Sequence, residues 1–152
     1  PWRGFDLLIE AFSKALIKNK IIKLKILGEG LDQKRLIKLI STLNVKENVH
    51  MLGEVPMSTY NKLMQKADVV VNSCLKEGAV TTAFDAMSLG KPLICLDTTG
   101  YTRYFSGDYA EIIPIQSRFK TIENLSNALL KLNNVKIINI KKFFIFSYIP
   151  QI

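Results

Sequence analysis

Apolar positions change their period along the chain, and those changes mark out alternating helices and strands. Over residues 5–18, Phe5, Leu8, Phe12, Ala15 and Leu16 recur at helical spacing. The run Ile22-Lys23-Leu24-Lys25-Ile26-Leu27 alternates with period two, as a strand does, and Gly28-Glu29-Gly30 closes it. Residues 32–43 return to helical spacing, with Leu36, Leu39, Ile40 and Leu43 on one face. A short strand from Val49 to Leu52 stops at Gly53, and Pro56 opens a helix over 57–66 with Tyr60, Leu63, Met64 and Ala67 inward. Asp68-Val69-Val70-Val71-Asn72-Ser73 is apolar on both faces, as a central parallel strand must be. A helix over 80–89 ends at Gly90, with Pro92 beyond it, and Leu93-Ile94-Cys95-Leu96 forms another buried strand. A strand near 110–115 follows, then a helix over 122–132 with Thr121 as its N-cap.

Strand–helix alternation with short connections predicts a Rossmann-like, doubly wound parallel sheet with helices on both faces. The pattern defines one domain over 1–134. After Asn134 it degrades, and residues 135–152 read as a strand, a second short strand or a disordered tail.

Composition narrows the class. No apolar run reaches the roughly 18 residues that a membrane span needs. The chain opens on Pro1, with no signal-peptide pattern before the first helix, so the expectation is a cytoplasmic fragment whose natural start lies further upstream. Net charge is +8, carried mostly by lysine. Nucleic acid, an anionic membrane surface and phosphorylated small molecules all suit that sign. Lys14, Lys18, Lys34, Lys38, Lys62 and Lys66 are spread over helix faces, the arrangement of solvated surfaces. There is no interleaving of aromatic and basic residues, so no specific nucleic-acid partner is expected. Cys74 and Cys95 sit in or beside apolar runs and fit buried free thiols in a reducing compartment. Neither a CxxC nor any metal-ligand spacing occurs, so no metal site is expected, and His50 reads as a structural, edge-strand histidine.

In such sheets ligands bind beyond the carboxyl ends of the strands. Four loops qualify: 1–5, 28–30, 74–82 and 97–104. The third is the most informative. Lys76-Glu77-Gly78-Ala79-Val80-Thr81-Thr82 runs into a helix whose free N–H groups make an anion site. Gly78 permits close backbone approach, and Thr81 and Thr82 can donate to phosphate oxygens or cap the helix. Glu77 stands before the turn, and Asp85, eight residues on, lies about one turn into the helix. Both carboxylates suit acceptance from sugar hydroxyls. Capping by either threonine, with Asp85 a solvated helix acid, explains the same residues.

The segment Glu77-Gly78-x6-Asp85-Ala86-Met87-Ser88-Leu89-Gly90-Lys91-Pro92 resembles the Glu-x7-Glu signature of the family 4 retaining glycosyltransferases, which have the GT-B fold. Further segments resemble the family in the same order. Arg3-Gly4-Phe5-Asp6-Leu7-Leu8-Ile9-Glu10-Ala11-Phe12 is similar to its Lys-Gly-x-x-x-Leu-Ile-x-Ala-Phe helix, and residues 24–31 to its strand and Gly-x-Gly loop. Residues 48–56 are similar to its Asn-Val-x-x-x-Gly-x-Val-Pro segment, and Ala67-Asp68-Val69-Val70-Val71 to its Ala-Asp-Val strand.

The resemblance implies the donor-binding half of a glycosyltransferase of the hexosyltransferase class. It transfers a sugar from a nucleotide-sugar with retention, in polysaccharide, glycan or glycolipid synthesis. It needs no cofactor beyond that donor, and no metal for donor binding. Glu77 would contact the donor sugar as the catalytic-site acid. Arg3, Gly28, Gly30, Gly78, Ala79, Val80, Thr81 and Thr82 would form the donor and phosphate site. Asp85 would bind the ribose, and Gly53, Glu54 and Val55 would lie near the base. The partner is an N-terminal acceptor domain, absent from this chain, so the fragment would be inactive alone. Weak peripheral attachment to the inner face of an anionic membrane is compatible with lipid-linked acceptors.

Three departures accompany the resemblance. Asp85 is one methylene shorter than the family's second glutamate. Gly78-Ala79-Val80-Thr81-Thr82 replaces the commoner Gly-Phe-Gly-Leu, so donor-sugar preference does not carry over. The family's first strand, ending in Gly-Arg, precedes its Lys-Gly helix, and this chain starts after it. In the strand order 3-2-1-4-5-6 that strand is central, between those at 22–27 and 68–73. Its loss is expected to expose two apolar edges, unless Phe143-Phe144-Ile145-Phe146 covers part of the gap.

Other classes fit less well. A phosphorylation receiver needs aspartates clustered at strand ends, where this chain has Gly28, Gly53, Ser73-Cys74 and Asp97. A nicotinamide dehydrogenase needs a G-x-G-x-x-G opening a helix after a strand. A non-catalytic nucleotide-binding module is the remaining alternative, along with a basic surface module binding nucleic acid weakly and non-specifically.

Overall fold

The computed structural model describes residues 3–76, 80–98, 102, 110–131 and 143–146. In chain order the elements are α1 (Phe5–Lys18), β1 (Leu24–Leu27), α2 (Gln33–Thr42), β2 (Val49–Gly53), α3 (Met57–Lys66), β3 (Val69–Asn72), α4 (Val80–Ser88), β4 (Leu93–Asp97), β5 (Ala110–Pro114), α5 (Arg118–Lys131) and β6 (Phe143–Phe146). The six strands form one sheet in the order β2-β1-β6-β3-β4-β5, with every ladder parallel.

Two apolar clusters cover the sheet. On one face, Leu8, Phe12 and Ala15 of α1, Leu36 and Ile40 of α2, and Leu125 and Leu129 of α5 pack on Leu24, Ile26, Val69, Val71 and Ile94. On the other, Tyr60 and Met64 of α3 and Ala83 and Ala86 of α4 pack on Leu27, Val70, Leu93 and Cys95. Val69, Val70 and Val71 therefore alternate between the clusters, which is why β3 is apolar at every position. The doubly wound arrangement read from the sequence is the one observed.

The centre of the sheet corrects one expectation. β6 lies between β1 and β3, with Ile145 opposite both Ile26 and Val71. The strand at 143–146 thus occupies the slot of the missing first strand, and the two apolar edges are paired. The crossover through α5 brings the chain back parallel to both neighbours, as a parallel ladder requires. Of the tail at 135–152, only those four residues are described.

Local signals account for most boundaries. Gly90 ends α4 at φ 61°, with Lys91 N–H bonded to Ala86 O at 2.8 Å, the pattern of a left-handed C-cap. α5 starts at Arg118, four residues before the predicted start. Ser117 Oγ accepts from Lys120 N–H, and Thr121, expected as the N-cap, is buried within the helix and accepts from Gln116 N–H. Phe119 faces solvent, so the first turn carries no apolar period to read. Lys14, Lys18, Lys34, Lys38, Lys62 and Lys66 are all exposed. His50 lies on edge strand β2, and both cysteines are buried free thiols.

Candidate functional site

The carboxyl ends of β1, β2, β3 and β4 share one end of the parallel sheet and form its rim, where hydrogen bonds tie loops together in separate groups. At the end of β3, Asn72 Oδ1 accepts from Cys74 N–H at 3.0 Å and turns the chain out of the sheet. The Cys74 thiol donates to the Lys76 carbonyl at 2.8 Å. Ser73 Oγ donates to the Arg3 carbonyl at 2.9 Å, tying the Arg3–Gly4 turn to this loop. Gly4 is required there: its φ is +61°, and a Cβ would stand 2.1 Å from the Ser73 carbonyl oxygen.

Arg3 is thereby held beside the loop that leads to α4. Its Nη1 is buried and has no hydrogen-bond partner among the described residues. Burial presses its pKa down, with proximity to Cys74 acting the other way, and a guanidinium in that setting keeps its charge. An enclosed cationic donor lacking an acceptor calls for an anion, because leaving it unpaired is costly.

A second pair of loops meets at β1 and β2. Gly28 N–H donates to Gly53 O at 2.7 Å, and Gly28 and Gly53 have φ of 101° and 67°. A Cβ on Gly53 would lie 3.1 Å from Glu29 Oε1, so the Gly28-Glu29-Gly30 loop lies against the start of Gly53-Glu54-Val55. Gly30 has open space around it.

The two groups of loops are joined through α3 and α4. The Tyr60 hydroxyl, in the first turn of α3, donates to Asp85 Oδ2 on α4 at 2.5 Å. Burial, ahead of the Asp85 carboxylate, drives the Tyr60 pKa well above the usual range, with nearby Thr82 acting the other way. Thr82 is buried while Thr81 faces solvent, so the two threonines of the α4 start are not equivalent. At the end of β4, Thr102 Oγ1 donates to Asp97 Oδ1 at 2.6 Å.

Glu77, Gly78 and Ala79 lie outside the described residues, as do Gly100, Tyr101, Arg103 and Tyr104 of the fourth loop. Val80 begins α4. Of the predicted set, Arg3 is brought to the β3–α4 loop, Gly28 to Gly53, and Asp85 to the opening turns of α4. Sequence reasoning misses Tyr60 and Glu29 as members of the rim. Tyr60 reads from the sequence as an inward helix position, and a buried tyrosine needing a hydroxyl partner is the available signal. No group of acidic, histidine or cysteine side chains that could hold a metal occurs among the described residues.

This α/β architecture is a Rossmann-like unit, one half of a GT-B fold. The family of group 1 glycosyl transferases matches residues 1–139, and the chain belongs to it. A glycosyltransferase of Methanocaldococcus jannaschii, MJ1059, is 35% identical over 95 residues, covering 62% of this chain and 23% of that protein. The crystal structure of a point mutant of S. aureus TarM, in complex with fondaparinux, alpha-GlcNAc-glycerol and UDP, superposes with a TM-score of 0.80 at 24% identity, over 93% of this chain and 28% of that one. The C-terminal domain of LpcC, a group 1 family protein of Francisella tularensis, gives a TM-score of 0.68 at 17% identity, over 89% of this chain and 80% of that domain. The chain spans about a quarter of the length of the curated relatives it matches.

Proposed function

We propose that the chain is the donor-binding half of a retaining glycosyltransferase of the family 4 type, which holds a nucleotide-sugar across the carboxyl end of its sheet. The observation that carries this reading is the buried Nη1 of Arg3, which has no hydrogen-bond partner among the described residues and belongs to a turn tied to the start of the β3–α4 loop. A diphosphate supplies the missing acceptor, and the free N–H groups at the start of α4 add dipolar stabilisation of the same charge. Arg3 and that helix start then neutralise the leaving diphosphate as its bond to the anomeric carbon breaks and the glycosidic bond to the acceptor forms, without a metal. Asp85 takes the ribose, Glu77 the donor sugar, and the Gly28–Gly30 and Gly53-Glu54-Val55 loops the remainder of the nucleotide. The acceptor comes from a second domain, and this chain alone turns nothing over.

Calorimetric titration with UDP, ADP and GDP tests the reading. One diphosphate binds far more tightly than its nucleoside, and Arg3→Ala weakens that diphosphate by about 10- to 100-fold, the range for charged hydrogen bonds. A folded chain that binds none of the three overturns it. In the whole enzyme, Glu77→Ala abolishes transfer while donor binding persists; unchanged turnover removes Glu77 from the site.

A further inference from the structure

We infer that Tyr60 is a positioning residue of the nucleotide site: its hydroxyl holds one oxygen of Asp85 and so presents the other to the ribose. The inference rests on the donor-site reading above, which gives Asp85 its ligand. Tyr60 is only 6% exposed, in the first turn of the helix that issues from Gly53-Glu54-Val55. Asp85 is partly exposed on the neighbouring helix of the same sheet face. Their 2.5 Å contact is a charge-assisted O–H···O⁻ bond, the shorter and stronger kind. Among the described residues, no other side chain hydrogen-bonds that carboxylate.

Thr82, buried one turn before Asp85, stands near the same phenol. The acid is thus gripped from α3 while its own helix carries it. A carboxylate held through Oδ2 still has Oδ1 to accept a further hydrogen bond, and Asp85 is partly exposed. Aspartate has fewer torsions than glutamate, so one bond orders it more completely, which suits the shorter acid found here. A buried phenol needing only satisfaction could use a backbone carbonyl; here it is spent on a half-exposed anion at the ligand end of the sheet.

The test is a double-mutant cycle on the 152-residue chain, with UDP and 2′,3′-dideoxy-UDP as probes and calorimetry as the readout. Tyr60→Phe keeps the ring and removes the hydroxyl; its melting curve checks the fold. It should weaken UDP roughly 3- to 10-fold, leave the dideoxy nucleotide unchanged, and add nothing once Asp85 is alanine. Equal weakening of both nucleotides, or additive effects of the two substitutions, makes Tyr60 structural and overturns the inference. If Asp85→Ala selectively weakens UDP while Tyr60→Phe does not, the inference fails and the donor-site reading stands. If Asp85→Ala leaves UDP binding unchanged, the ribose role of Asp85 falls and Tyr60 with it. Should UDP not bind, ADP and GDP with their dideoxy forms replace it, and failure of all three overturns both readings.

Discussion

Gly4 and Cys95 show how much a single position carries in this chain. A Cβ on Gly4 meets the Ser73 carbonyl at 2.1 Å, and the residue sits in the left-handed region. Gly4→Ala should therefore destabilise by about 2 kcal/mol or more, measured by urea unfolding, because both strain and a backbone collision must be relieved. It should also loosen Arg3 from the β3–α4 loop and weaken nucleoside diphosphate binding. Cys95 is buried, and burial first, then Asp97 and Cys74, push its thiol up to about 12 from an ordinary 9.0. Folding disfavours the thiolate, so the stability linked to this group is intact below about pH 9 and is lost as pH rises toward 12. Tyr60, also raised, acts with the same sign from near its ordinary 10.0 upward. Urea midpoints measured across the alkaline range should fall less steeply for Cys95→Ala than for the parent chain. An identical slope in both would remove Cys95 from the alkaline limb.

At the scale of elements, the sheet depends on a strand delivered last. β6 contributes a parallel ladder on each side, to β1 and to β3. A proline at position 145 removes a donor in the middle of the sheet and has no edge to retreat to. Ile145→Pro should cost about 2 kcal/mol or more and promote association through the freed edges of β1 and β3. Size-exclusion chromatography and urea unfolding check this; a monomer of unchanged midpoint would place β6 outside the sheet. The helices report a complementary lesson. α1 through α4 follow their apolar periods closely, whereas the first turn of α5 escapes detection because Phe119 is exposed. Arg118 in that turn instead reaches Asp6 and Glu10 on α1, a cross-element ion pairing that periodicity does not encode.

For the whole molecule, the +8 charge and the Rossmann-like sheet point to different kinds of partner. The six lysines singled out from the sequence are all exposed and distributed, so contact with DNA should be weak and should vanish steeply with added salt. Specific recognition should lie with the nucleotide. A diphosphate present at a hundredfold excess over its Kd should raise the unfolding free energy by about 2.7 kcal/mol, seen as a concentration-dependent melting temperature. A melting temperature indifferent to nucleotide, with DNA binding that survives physiological salt, would reverse that assignment.

The periods of apolar residues determined the element order, the parallel sheet and its two covered faces, because burial imposes local spacing that each segment carries by itself. Arg3, Gly28, Gly53 and Asp85 took their expected roles from the family resemblance, while the turn running into the helix at 80–89 carried a physical signal of its own. Three features were decided only in the tertiary structure. The run Phe143-Phe144-Ile145-Phe146 has no period that names its neighbours, and its place between β1 and β3 depends on a slot formed by segments far away in sequence. The enclosure of Arg3 Nη1 depends on the Ser73–Arg3 contact, and the grip of Tyr60 on Asp85 joins two helices across 25 residues. Hydrogen bonds between distant segments leave no spacing behind them, so Tyr60 and Glu29 escaped the sequence reading, and the contacts that hold the loops in place were set only by the fold.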